Sequence, residues 1–152
     1  MTKTLFAAII FAVAALTITG CKKSSSTSVG TGKSFYMKLD GTEFTPAGGG
    51  RYYALTGSIP GIQIVGDTSY MTIEIYVPSD AVGTYNLDHT GSSNFASVFV
   101  NAGSKVYLST SGEVKITKSA GGKISGTFHY AATGTSGTVN VTDGEFNDIP
   151  KK

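Results

Sequence analysis

The chain has 152 residues, of which 40% are hydrophobic and 14% charged, and its formal net charge is +2. The basic residues are scattered, which argues against nucleic acid or an acidic polymer as a partner. A single cysteine and two histidines exclude a disulfide framework and leave a zinc site short of ligands, so neither metal nor cofactor is expected.

Lys3 opens the chain with a positive charge, and Leu5 to Leu16 follows as an apolar run of 12 residues. That pattern is a secretory signal, too short for the roughly 20 residues that span a bilayer as a helix. Its end, Ile18-Thr19-Gly20-Cys21, resembles a bacterial lipobox. The resemblance implies cleavage before Cys21 and a diacylglycerol on its sulfur. Residues 1–20 are then the signal peptide and 21–33 a lipid-anchored linker, leaving 34–152 as one domain. The linker sequence KKSSSTSVGTGK lacks apolar periodicity. Its twelve residues reach about 17 to 21 Å as a flexible chain.

Phe35, Met37 and Leu39 alternate up to Asp40-Gly41, a type I′ hairpin signal, and Phe44 lies beyond it. Arg51 to Ile59 forms the next strand, with Tyr53, Leu55 and Ile59 inward by parity and Tyr52 outward. Ile62 and Ile64 begin a short strand that turns at Gly66-Asp67. Tyr70 to Val77 then sets Met71, Ile73, Ile75 and Val77 against Tyr70, Thr72, Glu74 and Tyr76. Gly83 to Leu87 is a short strand, and Phe95 to Val100 is apolar on both faces. Val106 and Leu108 carry another strand.

The last third, Gly112 to Ile149, is an antiparallel meander of three strands with one dry face. Val114 and Ile116 face inward in the first, Ile124, Gly126, Phe128 and Tyr130 in the second, and Val139 and Val141 in the third. His129 points outward. Phe146 breaks the parity set by Val141, so the spacing predicts a β-bulge at Asp143-Gly144. About ten short strands with no amphipathic helix, and glycine at nearly twice its usual share of about 7%, point to an all-β fold. The two-faced strand Phe95 to Val100 favours an antiparallel β-sandwich, with a closed β-barrel as the alternative.

The lipobox, the serine-rich linker, FYMKLDGTEF from Phe35 and the closing GEVKITK…ISGTFHY…SGTVNVTDGEF block together define a resemblance. The chain is similar to small all-β lipoproteins of Bacteroidota classed as a domain of unknown function. That resemblance implies an envelope location and hands over no catalytic residue. Surface-exported lipoproteins of that phylum carry acidic residues soon after the cysteine. Lys22-Lys23-Ser24-Ser25 stand there instead, which favours the periplasmic side of the outer membrane.

Chemistry-bearing clusters are sparse. Gly30 to Ser34 imitates the end of a phosphate-binding loop, but Thr27 stands where its first glycine belongs. Asp88, His89, Ser92 and Ser93 have the residue types of a hydrolytic triad without the separate elements that assemble one. Asp143, Glu145 and Asp148 crowd three carboxylates near the expected bulge, where solubilising charge is the plainer explanation. More informative are the tyrosines placed outward by parity: Tyr36, Tyr52, Tyr70, Tyr76 and Tyr107. Tyrosine suits strands without any ligand, yet its ring also stacks on sugars and anchors protein partners. Tyr52, Tyr70, Glu74 and Tyr76 are therefore the candidate ligand-binding residues. The expected protein is a non-enzymatic, lipid-anchored envelope module, binding or structural, whose ligand the sequence does not identify; a glycan or an envelope protein is the candidate partner, and a glycan-binding lipoprotein the alternative. Rival expectations are a glycan hydrolase with two carboxylates in one cleft, and a structural subunit that adds a strand to its neighbour.

Overall fold

The alternating runs become ten strands: β1 (Phe35–Leu39), β2 (Thr42–Phe44), β3 (Gly50–Leu55), β4 (Gly61–Asp67), β5 (Met71–Val77), β6 (Gly83–Asn86), β7 (Phe95–Val100), β8 (Lys105–Ala120), β9 (Lys123–Gly134) and β10 (Gly137–Pro150). The structure is a computed structural model that describes residues 31–57, 60–91, 93–101 and 103–152. The expected signal peptide, Cys21, the linker up to residue 30, Ile59 and Ser92 lie outside the described residues. Among the described residues no helix is long and apolar enough to cross a membrane.

The fold is all-β and every strand pairing is antiparallel, but the strands do not divide into the two sheets of a sandwich. They form one sheet in the order β2-β1-β10-β9-β8-β7-β5-β4-β3, with β6 paired to β8 off this path. The sheet curls into a half-barrel. At its far edge β3 meets the residues after β10 through a parallel bridge, Tyr52 to Lys151, and the Lys152 amide donates to the Tyr52 carbonyl at 2.9 Å. Curvature comes from the three long strands. Ladder shifts occur in β8 between Ser109 and Ser111 and between Ile116 and Lys118, and in β10 between Val141 and Gly144 and between Phe146 and Ile149. Each extra residue bends its strand and increases its twist, so one sheet encloses what a sandwich would need two to cover.

The inner face holds the core. Phe35, Ile64, Ile73, Ile75, Val98, Val114, Ile116, Ile124 and Phe146 are fully buried. Phe128 meets Phe35 with ring centroids 5.4 Å apart and Phe146 at 6.3 Å. At the β1–β2 turn Asp40 and Gly41 both have positive φ, 47° and 81°, as a type I′ hairpin requires. The bulge expected at Asp143-Gly144 is present, with Asp143 at φ 52°. His129 is exposed on the outer face of β9, as its parity places it.

Several sequence expectations are corrected. Tyr52 is an inward core residue, 1% exposed, because β3 pairs Tyr52 with the inward Ile64 and Tyr53 with Gln63. Tyr107 is also in the core while Val106 is exposed. The segments around Val106 and Val114 are one strand, β8, and its Ser109–Ser111 bulge reverses the parity between them. Tyr36 does lie on the outer face, but it is covered: the Lys33 ammonium stands 4.6 Å from its ring centroid and its hydroxyl bonds Glu43. In β7 the inner residues Ala96 and Val98 are buried, whereas Phe95 and Phe99 on the other side are only half-buried. Among the described residues no second sheet covers them.

Candidate functional site

Hairpin register, rather than chain proximity, builds the outer face of β3, β4, β5 and β7. One cross-strand row runs Tyr53, Gln63, Tyr76, Phe95, and the next runs Arg51, Val65, Glu74, Ser97. A third row places Asp67, Thr72 and Phe99 side by side. Opposite residues on one sheet face are in contact range. This surface is therefore a patch of aromatic rings interleaved with polar groups, and most of its side chains are half-buried.

The polar groups hold the rings. Tyr76 stacks on Phe95 with centroids 4.4 Å apart and planes 18° off parallel. Its hydroxyl donates to Glu74 Oε2 at 2.6 Å and accepts from Gln63 Nε2 at 2.8 Å. Burial raises the Tyr76 pKa well above the ordinary tyrosine value, and its bond to Glu74 raises it further. The hydroxyl is thus a proton donor at every physiological pH. On β3, Arg51 Nε donates to the Tyr53 hydroxyl at 2.6 Å, and its guanidinium pairs with Asp67. The guanidinium also lies 5.8 Å from the Tyr53 ring centroid, within cation–π range.

At one end of this face is a cavity of about 280 Å³ lined by Thr68, Tyr70, Thr72, Glu74, Phe99 and Gly103. The β4–β5 turn shapes it. Thr68 takes the Met71 amide on its hydroxyl at 3.1 Å and donates its own amide to the Met71 carbonyl at 2.8 Å. The Tyr70 carbonyl accepts the Asn101 amide at 2.7 Å, tying this turn to the one between β7 and β8. Tyr70 therefore has a fixed backbone and an open side chain, 53% exposed. It sits in the turn before β5 and not on the strand. Even so, the structure brings Tyr70 and Glu74 to one cavity, with Tyr76 bonded to Glu74. Tyr52 is elsewhere, in the core, with its hydroxyl 3.3 Å from Asp80.

Sequence parity missed Tyr53, Gln63, Phe95 and Phe99. The signal that could have found them is the β3–β4 register: once Tyr52 is set against Ile64, Tyr53 and Gln63 must face outward.

The remaining clusters resolve differently. His89 Nδ1 is 2.6 Å from the Ser109 carbonyl, while Asp88 accepts the Thr90 amide and hydroxyl. That histidine is thus not oriented by the neighbouring acid. Asp143 pairs with Lys38 at 2.9 Å, Asp148 with Lys118 at 2.8 Å, and Glu145 accepts the Thr31 amide at 2.8 Å. Three carboxylates close in sequence thus serve three separate contacts. A wider groove of about 880 Å³ crosses β8, β9, β10 and β1, lined by Tyr36, Lys38, Glu113, His129, Asp143 and Glu145. Of these, Lys38, Asp143 and Glu145 are engaged in the contacts just described and Tyr36 in those with Lys33 and Glu43, whereas the Tyr70 cavity offers an open ring beside Glu74 and is the candidate site.

A family described as a domain of unknown function, DUF6252, matches residues 33–150. The chain belongs to that family. The DUF6252 match takes in all ten strands, the cavity and the outer aromatic rows. No curated protein and no solved structure gives a match.

Proposed function

We propose that this DUF6252 protein is a lipid-anchored, non-enzymatic binding module of the cell envelope, tethered through Cys21 to the outer membrane on its periplasmic side. Its ligand meets the outer face of β5 at Tyr70, Glu74 and Tyr76. The observation that carries the binding site is the Tyr70–Glu74 cavity, whose carboxylate is already oriented by the Tyr76 hydroxyl. Groups held in place before a ligand arrives lose less entropy on binding. The tether rests on the lipobox-like Ile18 to Cys21 and the Bacteroidota resemblance.

The rival reading, glycan hydrolysis, uses a pair of carboxylates. Among the described residues Glu74 is the one carboxylate that lines this cavity, which supports holding a ligand there over cleaving it; a hydrolase would have to use the wider groove, where Asp143 is paired with Lys38 and Glu145 holds Thr31. Two measurements test the proposal. Wild type should partition into the detergent phase and Cys21→Ser should not; equal partitioning removes the anchor. In detergent, the intact protein should sediment with insoluble envelope material, and Tyr70→Ala/Tyr76→Ala should stay in solution. Co-sedimentation of that variant at the wild-type level removes the binding face.

A further inference from the structure

We infer that the ligand is a hydroxyl-rich saccharide chain without acidic groups, lying along the outer face of β5 from the Tyr70 cavity to the Tyr76–Phe95 stack; this rests on the binding face proposed above. Three observations select that chemistry. Rings stand at both ends of the track: Tyr70 and Phe99 at the cavity, Tyr76 and Phe95 at the far end, with Tyr53 in the same cross-strand row. Aromatic faces pack against the C–H faces of sugar rings as they do against other apolar groups.

Glu74, between them, has only one oxygen engaged. Oε2 receives the Tyr76 hydroxyl, whereas Oε1 accepts no hydrogen bond and Glu74 enters no ion pair among the described residues. A carboxylate oxygen without a donor, on a half-buried residue that lines the cavity, fits a ligand that brings donors, as hydroxyls do.

Charge decides against an anionic sugar. Arg51, the cation of this face, is bound to Asp67 and Tyr53. A uronate or a phosphate would therefore meet Glu74 with no free cation on this face, among the described residues, to offset the repulsion. Length argues for a chain: Thr72 to Tyr76 covers about 13 Å of extended strand, longer than one sugar ring. The track follows β5, which is already paired to β4 on one side and β7 on the other, so a peptide adding itself as a strand has no ladder to join along it.

An array of purified uncharged, amino and uronate oligosaccharides, probed with the intact protein in detergent, tests the inference. Retention on uncharged or amino oligosaccharides is expected, with Kd between micromolar and millimolar. Tyr70→Ala should weaken it about 2- to 10-fold, the worth of one stacked ring, and Tyr70→Phe should not. Glu74→Gln should lower affinity, and His129→Ala, outside the cavity, should leave it unchanged. Thermal melts of each variant separate a lost contact from a lost fold. Retention confined to uronate sugars overturns the inference, as does wild-type affinity in both Tyr70→Ala and Glu74→Gln. A blank array beside envelope sedimentation that still depends on Tyr70 and Tyr76 discards the saccharide and leaves the binding face standing.

Discussion

Phe128 and His129 are chain neighbours with opposite environments, and the contrast follows from strand geometry alone. Successive side chains of β9 point to opposite faces, so Phe128 is 2% exposed among Phe35, Tyr130 and Phe146 while His129 stands in solvent. Phe128→Ala should cost about 3 to 5 kcal/mol through lost transfer energy and the cavity left behind. His129→Ala should stay within about 0.5 kcal/mol of wild type. Denaturant melts that gave the reverse order would contradict the facing of β9. This pair was legible because Ile124, Phe128 and Tyr130 alternate with small or polar residues. Tyr52 and Tyr53 were not: two adjacent tyrosines give no polarity difference from which to choose the inner one, and β3 ends at Leu55, too soon for later residues to decide.

Among the elements, the bulges show when a sequence betrays an irregular strand. At Asp143-Gly144 the slip is visible because Phe146 would otherwise face water. In β8 the slip falls on Ser109, Thr110 and Ser111, small polar residues that violate no alternation whichever way they point. Alternation alone therefore places Tyr107 outward, whereas it lies in the core and Val106 is exposed. The β10 bulge also has a packing requirement. Gly144 faces inward, and a Cβ placed there would lie 2.4 Å from the Phe128 carbonyl oxygen and 2.5 Å from its ring. Gly144→Ala should therefore cost about 1 to 3 kcal/mol by overpacking, read as a lowered denaturant midpoint at unchanged slope. A midpoint within error of wild type would show that β9 and β10 can move apart at the bulge without cost.

For the molecule as a whole, strand number and antiparallel order follow from local patterning, but the wrapping of one sheet depends on contacts far apart in sequence. Phe95 and Phe99 made β7 look covered on both sides; their outer positions instead supply the aromatic surface of the candidate site. What holds the curl together runs through the interior. Phe35, on β1 near one end of the sheet, presses its ring against Gly66 of β4 near the other end, where an added Cβ would meet three ring carbons at 2.6 to 2.8 Å. The same ring leaves only 2.6 Å for a Cβ at Gly50 of β3. Gly66 does not adopt positive φ; its requirement is space. Gly66→Ala alone should thus destabilise by about 1 to 3 kcal/mol. In a Phe35→Leu background, where the smaller side chain leaves room, the same change should cost less. The two substitutions should be non-additive by about 0.5 to 3 kcal/mol, the range for residues in contact. Additivity within about 0.3 to 0.5 kcal/mol would mean that β1 and β4 do not meet through Phe35, and that the curl is set by the strand bulges alone.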